Sequence, residues 1–312
     1  MLPVPKTVRL RPAGRPSWIL QFACGALLGC LAAPGGASQV PAIDVLVSEP
    51  AGIYQETATS MAQALSREGW QVTVSTPERG APQGADLTVA IGTRALEGAL
   101  ARPGRPVLSL LVPRPTYERL ASGKAGVTAL YLEQPLRRQL HLLASALPGL
   151  KRVGAPLGPV SQAQQAALLS AAKAAGLQVS SAQIRRGQDL GAALDGLADN
   201  SEAFVLLPDP VVAQRGTLQN LFLHTYRLRK PVLAYSAPLA QSGALLSLYA
   251  TPAQLGEEAA AWVRESWGSG LRLGAPRYPT RFTVAVNRAV ARSLEIELPS
   301  EAALTRRLEA LQ

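Results

Sequence analysis

The last third of the chain constrains the fold most strongly. Between Asp195 and Glu301, short apolar runs that end in small polar residues alternate with helix-compatible stretches. Ala203-Phe204-Val205-Leu206-Leu207 runs into Pro208-Asp209-Pro210, and Lys230-Pro231-Val232-Leu233-Ala234 runs into Tyr235-Ser236. Gly243–Ser247 is followed by a helix opened by Leu255–Ala260, and Phe282–Asn287 closes as a strand leading into a helix at Arg288–Leu294. Strands alternating with helices in this way build a parallel α/β sheet. Ligands of such sheets gather outside the carboxyl ends of the strands.

The same grammar fills the chain before this stretch. Strands are expected at Ala42–Ser48, Gln71–Ser75, Asp86–Gly92, Pro106–Val112 and Val127–Leu132, with helices at Ile53–Glu68, Arg94–Ala101 and Thr116–Ser122. A helix from Gln134-Pro135-Leu136 to Leu147 opens a second half. It continues with strands at Arg152–Pro156 and Leu177–Ser181 and helices at Ser161–Ala175, Asp189–Asp199 and Val211–Arg229. The expected fold is α/β: two doubly wound parallel-sheet lobes with a ligand cleft between them. Lobe 1 takes 40–132 plus 247–272 and lobe 2 takes 133–246 plus 273–312. The hinge is expected near Leu132–Pro135 and Ser236–Ser247.

At 312 residues and 47% hydrophobic content, the chain is long enough for two cores. Its formal charge of +10 is less telling than it looks, because Lys6, Arg9, Arg11 and Arg15 fall in a leader-like segment. Without them the same count is about +6, scattered in ones and twos, with no basic stripe of interleaved aromatics for nucleic acid.

That leader, residues 1–38, has the layout of a signal peptide: a basic start, an apolar run from Trp18 to Ala33, then small residues. The run is roughly sixteen residues, short of the ~20 a spanning helix needs. Cleavage in Pro34–Gln39 releases a soluble periplasmic product. Alternatively, Leu27-Leu28-Gly29-Cys30 resembles a bacterial lipobox, with Cys30 as the lipidated residue. Cys24 and Cys30 are the two cysteines, so the chain after them has no disulfide, thiol nucleophile or cysteine metal site.

Several blocks resemble the ABC-transporter substrate-binding proteins of the type I periplasmic-binding-protein fold, whose characterised members capture aromatic or other amino acids. They are Asp86–Thr93, Glu133-Gln134-Pro135-Leu136-Arg137-Arg138-Gln139-Leu140, Leu147–Gly154, Lys230–Ser236, Gly243–Ser247 and Ala253–Val263. The ending Thr280–Asn287 followed by Leu294–Pro299 is the most specific piece. The turns at Ser48–Tyr54 and Pro156–Ser161 depart from the family pattern.

The resemblance implies a binding cleft, closed by helix starts, hydroxyls and one or two aromatics around a small polar ligand. By position at strand ends, the candidates are Ser48, Glu49 and Tyr54, then Gly92, Thr93 and Arg94. From the other half come Ser161, Gln162, Asp209, Tyr235 and Ser236. Gly92 and Thr93 suit a carboxylate at a helix amino terminus, with Arg94 adding charge. Asp209 suits a ligand ammonium, and equally suits capping the helix after it. Tyr54 and Tyr235 offer stacking faces. His141 and His224 stand alone, with no metal spacing, phosphate loop or nucleophile elbow. No cofactor, no metal and no enzymatic activity are expected. The expected role is an exported, monomeric solute receptor that hands its ligand to an ABC-type membrane permease. The alternative is a lipid-anchored sensory or accessory protein on the same fold.

Overall fold

The computed structural model describes residues 40–79, 84–102 and 104–311. The expected signal segment and Cys30 lie outside these residues.

The chain begins with β1 (Ala42–Val47), α1 (Gly52–Ser66), β2 (Gln71–Ser75), β3 (Leu87–Ile91), α2 (Thr93–Leu100), β4 (Val107–Leu110), α3 (Arg114–Ala121) and β5 (Val127–Leu130). The strands form one parallel sheet in the order β2-β1-β3-β4-β5. Helices cover both faces, so β3 and β4 are buried at every position, as their unbroken apolar runs require. The edge strand β2, Gln-Val-Thr-Val-Ser, keeps three of its five residues exposed.

The second lobe runs through α4 (Leu136–Ala146), β6 (Arg152–Leu157), a 3₁₀ turn at Ser161–Gln164, α5 (Gln165–Ala174), β7 (Gln178–Gln183), α6 (Leu190–Ala198) and β8 (Ala203–Val205). It continues with α7 (Arg215–Arg227), β9 (Val232–Ala234), α8 (Ala237–Ser242) and β10 (Leu246–Tyr249). After α9 (Pro252–Trp267) come β11 (Thr283–Val286), α10 (Arg288–Ser293) and α11 (Glu301–Glu309). The sheet order is β7-β6-β8-β9-β10-β11.

The two halves are therefore doubly wound α/β lobes, and three differences from expectation have physical causes. First, β11 pairs antiparallel with β10. The chain leaves β10 at its carboxyl end, visits lobe 1 and returns at that same end, so β11 has to run backwards along its neighbour. Second, the stretch 247–272 divides: β10 belongs to the second sheet, whereas Leu255, Ala259, Trp262 and Val263 of α9 lie in the first lobe's core. Gly256 makes that docking close, because a Cβ there would lie 2.7 Å from the Thr57 carbonyl oxygen of α1. Leu273 also packs in the first lobe and Arg277 bridges Leu130 of β5, so 273–277 stay with lobe 1. Third, Ser236–Ser247 is no hinge. It holds α8 and the start of β10, both inside lobe 2.

The connections between lobes are thus 131–135, 250–251 and 278–282. Gln134 fastens two of them, its side-chain Nε2 donating to the Arg281 carbonyl at 3.1 Å. Smaller shifts follow local chemistry. The helix expected from Val211 starts at Arg215, since Asp209 first folds a turn by accepting from the Val211 N–H.

Candidate functional site

In lobe 1 the strand order reverses direction of growth between β1 and β3, which opens a crevice at their carboxyl ends. Ser48 follows β1 there. Its N–H donates to the Ile91 carbonyl at 2.9 Å, and its Oγ accepts from the Ala95 N–H of α2 at 3.0 Å. Gly92 joins β3 to α2 at φ +92°, a conformation side chains avoid. A Cβ there would sit 2.5 Å from Ser48 Oγ and 2.6 Å from the Tyr54 ring. Ser48, Tyr54 and Gly92 therefore meet at one point. Burial, and then the charge of exposed Glu49, pushes the Tyr54 hydroxyl above its ordinary range.

The start of α2 is open. The Gly92 N–H is taken by the Leu110 carbonyl and the Ala95 N–H by Ser48, but those of Thr93 and Arg94 have no acceptor among the described residues. Two free N–H groups at a helix amino terminus form an anion-accepting edge. The Arg94 side chain is placed elsewhere than expected: its guanidinium pairs with Glu78, and both are well exposed.

In lobe 2 the corresponding crevice lies between β6 and β8. Asp209, only 3% exposed, follows β8 and reaches across to the turn after β6. Its Oδ2 accepts from the N–H groups of Val160 (2.9 Å) and Ser161 (2.8 Å) and from Ser161 Oγ (3.1 Å). Its Oδ1 accepts from the Val211 N–H at 2.9 Å. Gly158 makes room, since a Cβ there would fall 2.1 Å from Asp209 Oδ1. Ser161 Oγ also accepts from the Gly158 N–H at 2.9 Å. Asp209 and Ser161, both expected to face ligand, thus satisfy each other inside the lobe. Gln162 is half-buried and donates to Gln165 Oε1 at 2.5 Å.

Tyr235 and Ser236 stand where β9 ends. The Tyr235 hydroxyl has no hydrogen-bond partner among the described residues. Burial first, then the charges of Asp209 and Glu133, push it up to about 12. Ser236 opens α8 without a side-chain capping bond.

Sequence reasoning missed a cluster at the floor between the lobes. Glu133, in the first connection, is 2% exposed, and its carboxylate accepts from the Arg114 N–H at 2.9 and 3.2 Å. Burial pushes it up to about 7, against the pull of that N–H. The Arg114 guanidinium turns away, donating to Tyr278 Oη at 3.0 Å and to Glu118 Oε1 at 2.7 Å. It lies 5.9 Å from the ring centres of both Tyr131 and Tyr278, which pack edge-to-face on one another at 5.0 Å. From here α3 comes within 8 Å, Cα to Cα, of the Ser161–Gln164 turn of lobe 2. One signal was available in the sequence, a carboxylate at Glu133 between an apolar strand and a proline-capped helix.

A family profile described as ABC transporter substrate binding protein matches residues 83–304. The chain belongs to this family. Solved structures of substrate-binding proteins share its two-lobed fold. The ABC domain in complex with L-Trp from Streptococcus pneumonia is 19% identical with a TM-score of 0.63, covering 86% of this chain and 98% of that one. The ligand-free, open form of a substrate binding protein with adhesive properties from Clostridium difficile is 19% identical, with a TM-score of 0.69 over 84% and 97%. A periplasmic ribose ABC transporter protein from Conexibacter woesei is 11% identical, with a TM-score of 0.57 over 88% and 100%. A search of curated proteins returns no match. In a substrate-binding protein of this family, the paired crevices and the floor between them are the candidate ligand site. Among the described residues no three histidines or carboxylates are grouped to hold a metal, and no helix is long and apolar enough to cross a membrane.

Proposed function

We propose that the protein is exported and captures a small polar or aromatic solute between its lobes, then delivers it as a monomer to an ABC-type permease. The observation that carries the reading is the open helix start at Thr93 and Arg94, set beside Ser48 and Tyr54 at the carboxyl end of one lobe's sheet, with a second lobe joined to it by three connections. An anionic group of the ligand docks on those two N–H groups, and Tyr54 and Tyr235 close on its body. Neighbours solved with L-Trp and named for ribose support capture of a small solute. The family match supports handover to a permease.

The test is a thermal-shift screen of the purified protein against amino acids, short peptides, nucleosides, sugars and aromatic acids, followed by calorimetry on hits. A ligand at a hundredfold excess over its Kd adds about 2.7 kcal/mol of stability. Thr93→Pro then probes the site. Proline is tolerated at a first helical position, so this change deletes one N–H while leaving α2 formed. An anionic hit is expected to lose at least ~tenfold in affinity, the cost of about one charge-assisted hydrogen bond. A folded protein with no hit in a broad library overturns solute capture and favours the sensory or accessory role.

A further inference from the structure

A second hollow lies just after the first connection, where α4 meets the helix α11. Pro135, Arg137, Arg138, His141, Leu308 and Leu311 line a hollow of about 290 Å³. That is close to the ~300 Å³ at which small-molecule sites begin. Arg137 and His141 lie four residues apart on one face of α4. Arg137 is exposed and has neither a hydrogen bond nor an ion pair among the described residues. His141 Nε2 is shut off from solvent and has no hydrogen-bond partner. Buried polar atoms in folded proteins nearly always have one.

Arg138 fixes the floor rather than waiting for a ligand. It donates to the Gln134 side chain and, at 3.1 Å, to the Pro279 carbonyl, and it lies 4.7 Å from the centre of the Phe282 ring. The opposite wall is apolar, with Leu308 buried and Leu311 45% exposed. We propose that this hollow binds an organic anion with a short apolar tail, an alkyl phosphate or carboxylate. Its charged end sits on exposed Arg137 beside the half-buried His141 ring, and its tail lies on Pro135 and Leu311. Burial first, and then the charge of Arg137, hold the His141 imidazole below its ordinary value. A bound anion reverses that balance.

The chain has two histidines, so imidazole NMR reads the site directly. His224, whose ring nitrogen lies 2.7 Å from Asp195 on α6, is the internal control. Octyl phosphate added to the purified protein is expected to raise the titration midpoint of His141 by ~1 pH unit, as a nearby opposite charge does, and to leave His224 in place. Arg137→Ala, an exposed position, is expected to keep the fold and weaken this response at least ~tenfold. Vesicles containing phosphatidylglycerol separate the sources. A shift with vesicles but not with octyl phosphate assigns the anion to a lipid headgroup, and a shift with octyl phosphate alone assigns it to a free amphiphile. If neither moves His141, or if Arg137→Ala responds like the unchanged protein, the site is refuted. Inorganic phosphate binding as tightly as octyl phosphate removes the apolar half of the proposal.

Discussion

The two lobes share a topology and differ at the one place where a ligand would meet them. In each, the crevice lies between the first strand and the strand that follows the edge strand in sequence, β1 and β3 in one and β6 and β8 in the other. In lobe 1 the helix start there keeps two N–H groups open, with only Ser48 capping the third. In lobe 2 Asp209 covers the matching turn and takes the N–H groups of Val160 and Ser161 for itself. Equivalent backbone therefore has opposite availability, set by one carboxylate that is supplied internally. On this reading, lobe 1 takes the anionic end of a solute and lobe 2 offers the Tyr235 hydroxyl and ring.

The strongest way to break the comparison is Asp209→Ala. It removes the acceptor of three N–H groups, those of Val160, Ser161 and Val211, while Ser161 Oγ keeps its bond from the Gly158 N–H; the cost is about 1–3 kcal/mol for each group that water cannot reach. A loss of the order of 4 kcal/mol in urea unfolding is expected, and added small carboxylates such as acetate should recover part of it. A loss below about 1 kcal/mol would mean that the turn of lobe 2 does not depend on this cap.

The floor between the lobes comes next, through Glu133→Gln. The folded-state value of Glu133 is raised from 4.5 to about 7, so the folded protein holds this proton more tightly than the unfolded chain. Stability is therefore full below about pH 4.5, falls as pH rises through the window up to about 7, and is flat above it. Glutamine imitates the protonated acid and still accepts from the Arg114 N–H. The variant is expected to match the unchanged protein near pH 4.5 and exceed it at pH 8 by on the order of 3 kcal/mol. Parallel unfolding curves at both pH values check this, and an equal difference at both would refute it.

Ser48→Ala is the lobe 1 counterpart of the Asp209 change and should cost only about 1 kcal/mol, the value of a single helix cap. It sharpens the contrast, because Ser48 holds one N–H where Asp209 holds three and a hydroxyl. The smallest effect is expected for Arg94→Ala. Its pair with Glu78 is exposed on both sides, so the melting temperature should be unchanged within error. Ligand affinity should also be nearly kept, since the Arg94 N–H remains.

Much of the fold could be read from the chain. The buried strands β3 and β4 are continuous apolar runs and the edge strand β2 alternates, so sheet position shows in composition. The direction of β11 could not be read, because Thr283–Val286 has the same character either way and only its point of entry decides. Nor could the membership of α9, a helix that lies between two strands in sequence and packs on a distant α1.

For the site, residue order determined which side chains reach strand ends: Ser48, Gly92, Thr93, Asp209 and Tyr235 follow apolar runs, and a parallel sheet brings such positions to one edge. Tertiary structure decided which of them remain free. Asp209 and Ser161 are 48 residues apart and bind each other. Arg114 and Glu133 are 19 apart and meet through a backbone N–H. Local pattern encodes where a backbone turns, because turns depend on neighbouring residues. Whether a donor or acceptor is left for a ligand depends on every group that folding brings within about 3 Å of it.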